Sequence, residues 1–484
     1  MPRVRTLVLL GLTAGALVAV PVAEAAAATR LVIRGAGFGH GIGMSQYGAY
    51  GFAQQGRDHR AILRHYYTGT ALGALDQNPE VRVLLQGGKR AVRIAGAAEV
   101  GGKLLDPART YTARAGGSGV LLRDDRGKDL FTTPAPMRVV APRAGTLRLA
   151  GTSVPGVRDG RYRGALELRP AGSGLNVINA VNLEDYVRGV VSAESPPTWP
   201  AEALKAQAVA ARTYAITTSK AGDGFDQFAD VRSQVYKGAL AEFPSTDAAV
   251  AATRGRVVTY GGRPATTYFF STSGGRTENV ENSFVGAEPK PWLKGVADPF
   301  DQLSPKHRWG PLRFTAAQVE RRLGRLVSGR FKRIKVTQRG ASPRVVRALV
   351  VGTRGSTAVT GPQLRRAFGL NDTWAYFRTI ATTTEKARRT PPSATLPGDP
   401  SSGGASPDGL RASAARATVS RVAGTVTPAR RGAWLRLQRR DGGAWSTVAE
   451  SRFGRSGRYA ITAPRRGTYR VVAGEDAGPS VVVG

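Results

Sequence analysis

Glu194 stands between an apolar run, Val187 to Ala193, and a rigid Pro196-Pro197 turn, with Trp199 close behind. A carboxyl held at such a turn and partly withdrawn from water has a raised pKa and can donate a proton near neutral pH. The competing reading is an exposed loop Glu, the common fate of that residue. Glu184 and Asp185 are its nearest rivals, and both fit equally well at the start of a helical turn. A second constellation runs from Gly35 to Gly48, where glycines alternate as far as Gly43 around His40 and are followed by Ser45 and Gln46. Such spacing permits positive φ and close approach of a ligand to the main chain; the plainer alternative is a loop whose His bonds its own backbone. A third is the strand-like Tyr268 to Phe270, which empties into Ser271, Ser273, Gly274, Gly275 and Arg276. That turn suits hydrogen bonding to a sugar, or is an ordinary Ser/Thr turn. Upstream, Asp230 to Gly238 offers Tyr236 as a stacking platform. Lys205, Gln207 and Arg212 share a helix that faces either the same cleft or solvent.

Much chemistry is excluded. The 484 residues include no Cys and 4 His, which removes disulfides, thiol nucleophiles and Cys-containing zinc sites. No phosphate-binding G-x-x-x-x-G-K-[ST], H-E-x-x-H or G-x-S-x-G pattern occurs, so neither a metal nor an organic cofactor is expected. The 70 Lys+Arg against 34 Asp+Glu give a formal charge of +36, which calls for an anionic partner. Arg3 and Arg5, the apolar Thr6 to Val22 and the small residues from Ala23 to Ala28 form the pattern of a secretory signal peptide over residues 1–28. No later segment is long and apolar enough to span a bilayer. The expected location is therefore extracellular and wall-associated. Expected partners are cell-wall polymers, anionic ones included, and not nucleic acid; the basic excess is read as spread along the chain.

To position these residues the chain needs an α+β architecture, β-rich with a few helices. Short alternating runs make a β-rich insert of about 80–178. Core motifs then occupy 180–380, with helices expected at Ala49–Tyr67, Pro200–Ser219, Ala316–Leu326 and Pro362–Phe368. Residues 385–412 read as a Pro/Gly/Ser-rich linker. Residues 413–484 read as a small all-β domain, an immunoglobulin-like sandwich of five strands.

The segments Asn182 to Pro196, Lys205 to Ala215, Ser233 to Gly238, Ser271 to Glu278 and Gly361 to Leu370, in that order, resemble the stage II sporulation protein D / amidase-enhancer family. The resemblance covers roughly Arg34 to Phe377, within a domain of that type read over 29–384. It implies a lytic transglycosylase that cuts denuded peptidoglycan glycan strands between N-acetylmuramic acid (MurNAc) and N-acetylglucosamine, leaving a 1,6-anhydro end. Glu194 matches the family's acid, which then acts as base. His40, Ser45, Gln46, Arg212, Tyr236, Ser271, Ser273 and Arg276 are the expected substrate-binding residues. The alternative within the family is a non-catalytic wall-binding protein that stimulates a cell-wall amidase; a basic wall adhesin is a third reading. Two departures stand out: the Gly-rich His40 segment lies near the N-terminus instead of the domain's end, and Ser195 replaces the Met usual after the Glu. A role in sporulation does not follow from the family name.

Overall fold

A computed structural model describes residues 28–117, 119–154, 156–219, 224–388, 418–429, 432–454 and 456–484. The signal-peptide reading and most of the linker fall outside them. The chain forms two compact units, Val32–Phe377 and Arg378–Gly484, the latter including the described residues 28–31. Strands outnumber helices throughout, as expected of a β-rich α+β protein.

Five helices build the centre of the larger unit: α1 (Gln46–Gln54), α2 (His59–Tyr66), α3 (Leu183–Glu194), α4 (Ala201–Thr217) and α5 (Pro244–Ala252). The single helix expected at Ala49–Tyr67 is two, because Gly56 takes φ +74° and Asp58 starts a new helix by accepting the Ala61 N–H at 2.7 Å. The apolar run before Glu194 is helical. Asn182 caps it by accepting the Asp185 N–H at 3.0 Å, and Pro196-Pro197 ends it, since proline lacks the N–H to continue. Helix α4 is rich in alanine, whose small side chain favours helix and lets neighbours approach from every side. Leu204, Ala208, Ala211 and Ala215 pack into one core, while Ala206, Val209 and Ala210 pack into another. A helix apolar on both sides is interior.

The insert is two antiparallel sheets, one of six strands and one of seven. The exception to the antiparallel pattern is Gln227–Phe228, which pairs parallel to the strand Glu80–Lys89. The insert does not fold apart from the helical core. Its buried Val83, Ile94, Leu149, Leu166 and Val177 share one cluster with Tyr186, Val190 and Leu204 of α3 and α4.

In the smaller unit, strands Trp434–Asp441, Ala444–Arg452, Gly467–Ala473 and Asp476–Val483 form a four-stranded sheet. Thr418–Thr427 pairs with Arg458–Thr462 and with residues 379–388 of the strand Ala375–Arg388. Ile380, Val422, Leu435, Leu437, Tyr469 and Val471 close one core between them. The strand Asp476–Val483 is additional to the five expected. Glu385–Arg388, read as the start of the linker, continue a strand and pair with Thr418–Arg421.

Candidate functional site

Glu194 is the last residue of α3, half-buried. Its Oε1 accepts the Val235 N–H at 2.7 Å, and Gln46 Nε2 lies 3.4 Å from its Oε2. The same Gln46 amide donates to the Glu194 carbonyl at 3.1 Å and approaches Gln207 Oε1 at 3.5 Å. Four separate segments thus meet at one carboxyl: α1, the end of α3, α4 and the 234–237 loop. The loop is set by burial of the Tyr236 ring and by backbone bonds from Tyr236 to Ala229 at 3.1 Å and from Lys237 to Gly189 at 3.1 Å. Gly189 is required there, since a Cβ would stand 2.5 Å from the Tyr236 ring.

Burial pushes the Glu194 carboxyl above the usual carboxylate range, against the Val235 N–H, the Gln46 amide and the Lys237 charge, which pull it down. Oε1 is the more tightly engaged acceptor, which leaves Oε2, with the longer contact, as the oxygen better placed to carry a proton when the carboxyl is neutral. Among the described residues no second carboxylate is bonded to Glu194. Beside it, Trp199 stacks on Tyr50 at 5.0 Å and 24° and meets Tyr47 edge-on at 5.1 Å. All three rings are half-exposed. Tyr47 follows Gln46 on α1, so the chain places this aromatic shelf next to the carboxyl.

The other expected residues divide. Gln46 reaches Glu194. His40 does not bond to it: its Nδ1 accepts the Ile42 N–H at 3.1 Å, and its ring packs on Phe270 at 5.3 Å and Phe284 at 5.6 Å. Burial, with Arg365 and Arg344 nearby, lowers its pKa to about 3, so the imidazole is neutral with its hydrogen on Nε2. Ser271 is half-buried, its hydroxyl on Thr272 at 3.1 Å, and Arg276 is exposed with Nη2 on the Gly295 carbonyl at 3.3 Å.

Four expectations are corrected. Arg212 is fully buried and grips Glu184 through both carboxylate oxygens, at 2.9 and 2.8 Å; the interior position of α4 leaves it no access to a ligand. Tyr236 is 1% exposed, donates to Asn179 Oδ1 at 2.7 Å and stacks on Tyr186 at 5.1 Å, so it builds the core instead of a platform. Ser45 is buried as the cap of α1, accepting the Gly48 N–H at 3.1 Å. Ser273 is buried and donates to Asp301 at 3.0 Å. Gln207 is the member of the Lys205, Gln207 and Arg212 trio that reaches the site, and its buried Nε2 has no hydrogen-bond partner. Tyr47 and Tyr50 went unread as site residues, although aromatics at i and i+3 after the Gln were a usable signal.

Residues 171–260, which hold Glu194, Gln207 and the 234–237 loop, match the family model described as stage II sporulation protein. This chain is similar to the stage II sporulation protein D family over part of its length. It is 34% identical over 211 residues to stage II sporulation protein D of Bacillus subtilis, covering 40% of this chain and 60% of that one. An uncharacterised protein of Brachyspira hyodysenteriae is 43% identical over 138 residues, 28% of this chain and 37% of that one. The amidase enhancer of Bacillus subtilis is 43% identical over 103 residues, 21% of this chain and 14% of its own length. The chain thus spans about three fifths or less of these relatives. The matched segment excludes Gln46, so the family core is completed by an N-terminal helix beyond that model.

Proposed function

We propose that this protein is an exported peptidoglycan-remodelling enzyme with lytic transglycosylase chemistry. The observation that carries the reading is a single carboxyl with a raised pKa, held by a backbone N–H and an amide, beside an aromatic shelf. Glu194 Oε2 gives its proton to the bridging O4 as the C1–O4 bond of the glycan breaks. The resulting carboxylate takes the proton of the MurNAc C6 hydroxyl, O6 bonds to C1, and Glu194 is restored. No water is consumed and one carboxyl serves twice. A hydrolase would call for two carboxyls flanking the bond. The Val235 N–H and the Gln46 amide stabilise the intermediate carboxylate, and Tyr47, Tyr50 and Trp199 offer faces for sugar rings.

The signal-peptide pattern supports export, and no described helix is long and apolar enough to cross a membrane. The smaller, two-sheeted unit fits an immunoglobulin-like accessory module. Incubating denuded glycan strands with the protein and resolving products by mass spectrometry tests the reading. The expected result is 1,6-anhydro-MurNAc ends with the parent and none with Glu194→Gln. Equal cleavage by the variant would sink it. The likeness to an amidase enhancer favours one second reading, a non-catalytic wall protein that stimulates an amidase; wild-type protein without anhydro products but with that stimulation would select it.

A further inference from the structure

The basic excess is not evenly laid out. In residues 302–371 sixteen Lys and Arg stand against the single Glu320, a net +15 of the chain's +36. Outside that stretch 54 Lys and Arg meet 33 Asp and Glu, so a general preference for Arg codons does not account for the local imbalance. These residues form a small layered lobe. Strands Phe331–Arg339, Val345–Gly352 and Gly355–Thr360 make an antiparallel sheet. The helices Ala316–Leu323 and Gly361–Phe368 pack beside it, burying Val319, Leu323, Leu364 and Phe368 with Ile334, Ala348, Val350 and Val359.

The register decides what the other face carries. Lys335 pairs with Leu349 and Arg333 with Val351, and Arg347 lies two residues before Leu349, so all share the face turned away from Ala348 and Val350. Arg333, Lys335 and Arg347 are exposed. Arg330 and Arg354, also exposed, meet at one end of the hairpin, where Thr353 N–H bonds the Arg330 carbonyl at 2.8 Å. Among the described residues none of the five is in an ion pair. The one carboxylate nearby is turned elsewhere, Glu320 Oε1 accepting the Phe331 N–H at 2.8 Å. Like charges on adjacent strands repel, and this face has no acid to relieve them.

We propose that this open face binds a linear phosphodiester polyanion, a wall polymer of the glycerol-phosphate kind. Exposed cations on one sheet face and at its end suit an extended polymer, and four of the five are Arg, whose planar fork pairs phosphate oxygens two at a time. The choice of a wall polymer over a nucleic acid rests on the export reading above. The binding would hold the enzyme on the wall without occupying the carboxyl site.

The test measures binding of the full chain to poly(glycerol phosphate) and to single-stranded DNA of matched charge, across a salt series. We expect tighter binding to poly(glycerol phosphate). The triple variant Arg333→Gln, Lys335→Gln, Arg347→Gln weakens it by at least about tenfold, and the slope of log affinity against log salt shrinks by about 2, at about 0.7 per lost phosphate contact. The control triple Arg440→Gln, Arg458→Gln, Arg466→Gln removes the same charge from exposed sites and leaves affinity within about twofold. Equal weakening by both triples, or tighter binding to DNA, overturns the proposal. Cleavage of phosphate-free denuded strands is unchanged in the sheet triple. Loss of cleavage in wild type with polymer binding intact would therefore strike the enzymatic reading and leave this one standing.

Discussion

Asp298 should destabilise the larger unit at neutral pH, and replacing it with Asn should show this directly. The residue is fully buried against the start of α1, close enough that a Cβ at Gly48 would stand 2.3 Å from its Oδ2. Burial, then the charge of Asp301, raise its pKa from 3.8 to about 6; the hydroxyls of Ser273, Tyr66 and Ser45 lower it only in part. Their pull is weak because neither carboxylate oxygen has a partner at hydrogen-bonding geometry. A carboxyl whose folded pKa is raised binds its proton more tightly in the native state. Its contribution is neutral below about pH 4 and becomes unfavourable as pH rises to about 6. The interval from 3.8 to about 6 is worth about 3 kcal/mol, at about 1.4 kcal/mol per pH unit. Other carboxyls titrate oppositely; Glu202 is drawn down to about 2 although burial opposes it, because Lys205 and His59 hold its charged form. The useful quantity is therefore the difference between Asp298→Asn and wild type, from urea unfolding at a series of pH values between 3.5 and 8 (an assay range, about where both states titrate). That difference should rise in favour of the variant by about 3 kcal/mol and level off above pH 7. A difference that does not change with pH would refute the reasoning, because an exposed or well-bonded carboxyl behaves that way.

The remaining predictions concern the carboxyl site and its framework. Glycan cleavage should fall as pH rises through the raised pKa of Glu194, and Lys237→Ala, which removes a charge that holds that pKa down, should move the fall to higher pH in a pH–rate profile. Arg212→Ala leaves Glu184 buried without its partner and should lower stability by about 3–5 kcal/mol in denaturant unfolding. Tyr236→Phe should cost about 1 kcal/mol of stability through the lost Asn179 bond while KM stays unchanged; a raised KM with full stability would restore Tyr236 to the site. Trp199→Ala should raise KM for long glycan strands about three- to tenfold, the worth of one aromatic contact, in a cleavage assay with purified strands.

Local chemistry made much of this protein readable from its residues. The Asn182 cap, the Pro196-Pro197 stop and the alanine-rich α4 bracket Glu194 within one chain segment, so its turn is a property of neighbouring residues. The absence of Cys and the order of the family segments are likewise properties of the string alone. Burial is different, because it depends on what packs against a residue from far along the chain. Arg212 and Tyr236 carry types that suit ligand binding, and only the two cores around α4 and the Tyr186–Tyr236 stack reveal them as framework. Gln46 and Val235 lie 148 and 41 residues from Glu194, and no local pattern brings them to it. The same holds for charge. Composition established that the chain is strongly basic, whereas strand register set Arg333, Lys335 and Arg347 on one open face and Glu320 away from it. Spacing along the chain determines which groups exist and how each segment turns. Packing decides which of them meet, which lose their water, and hence which carboxyl is pushed above its usual range.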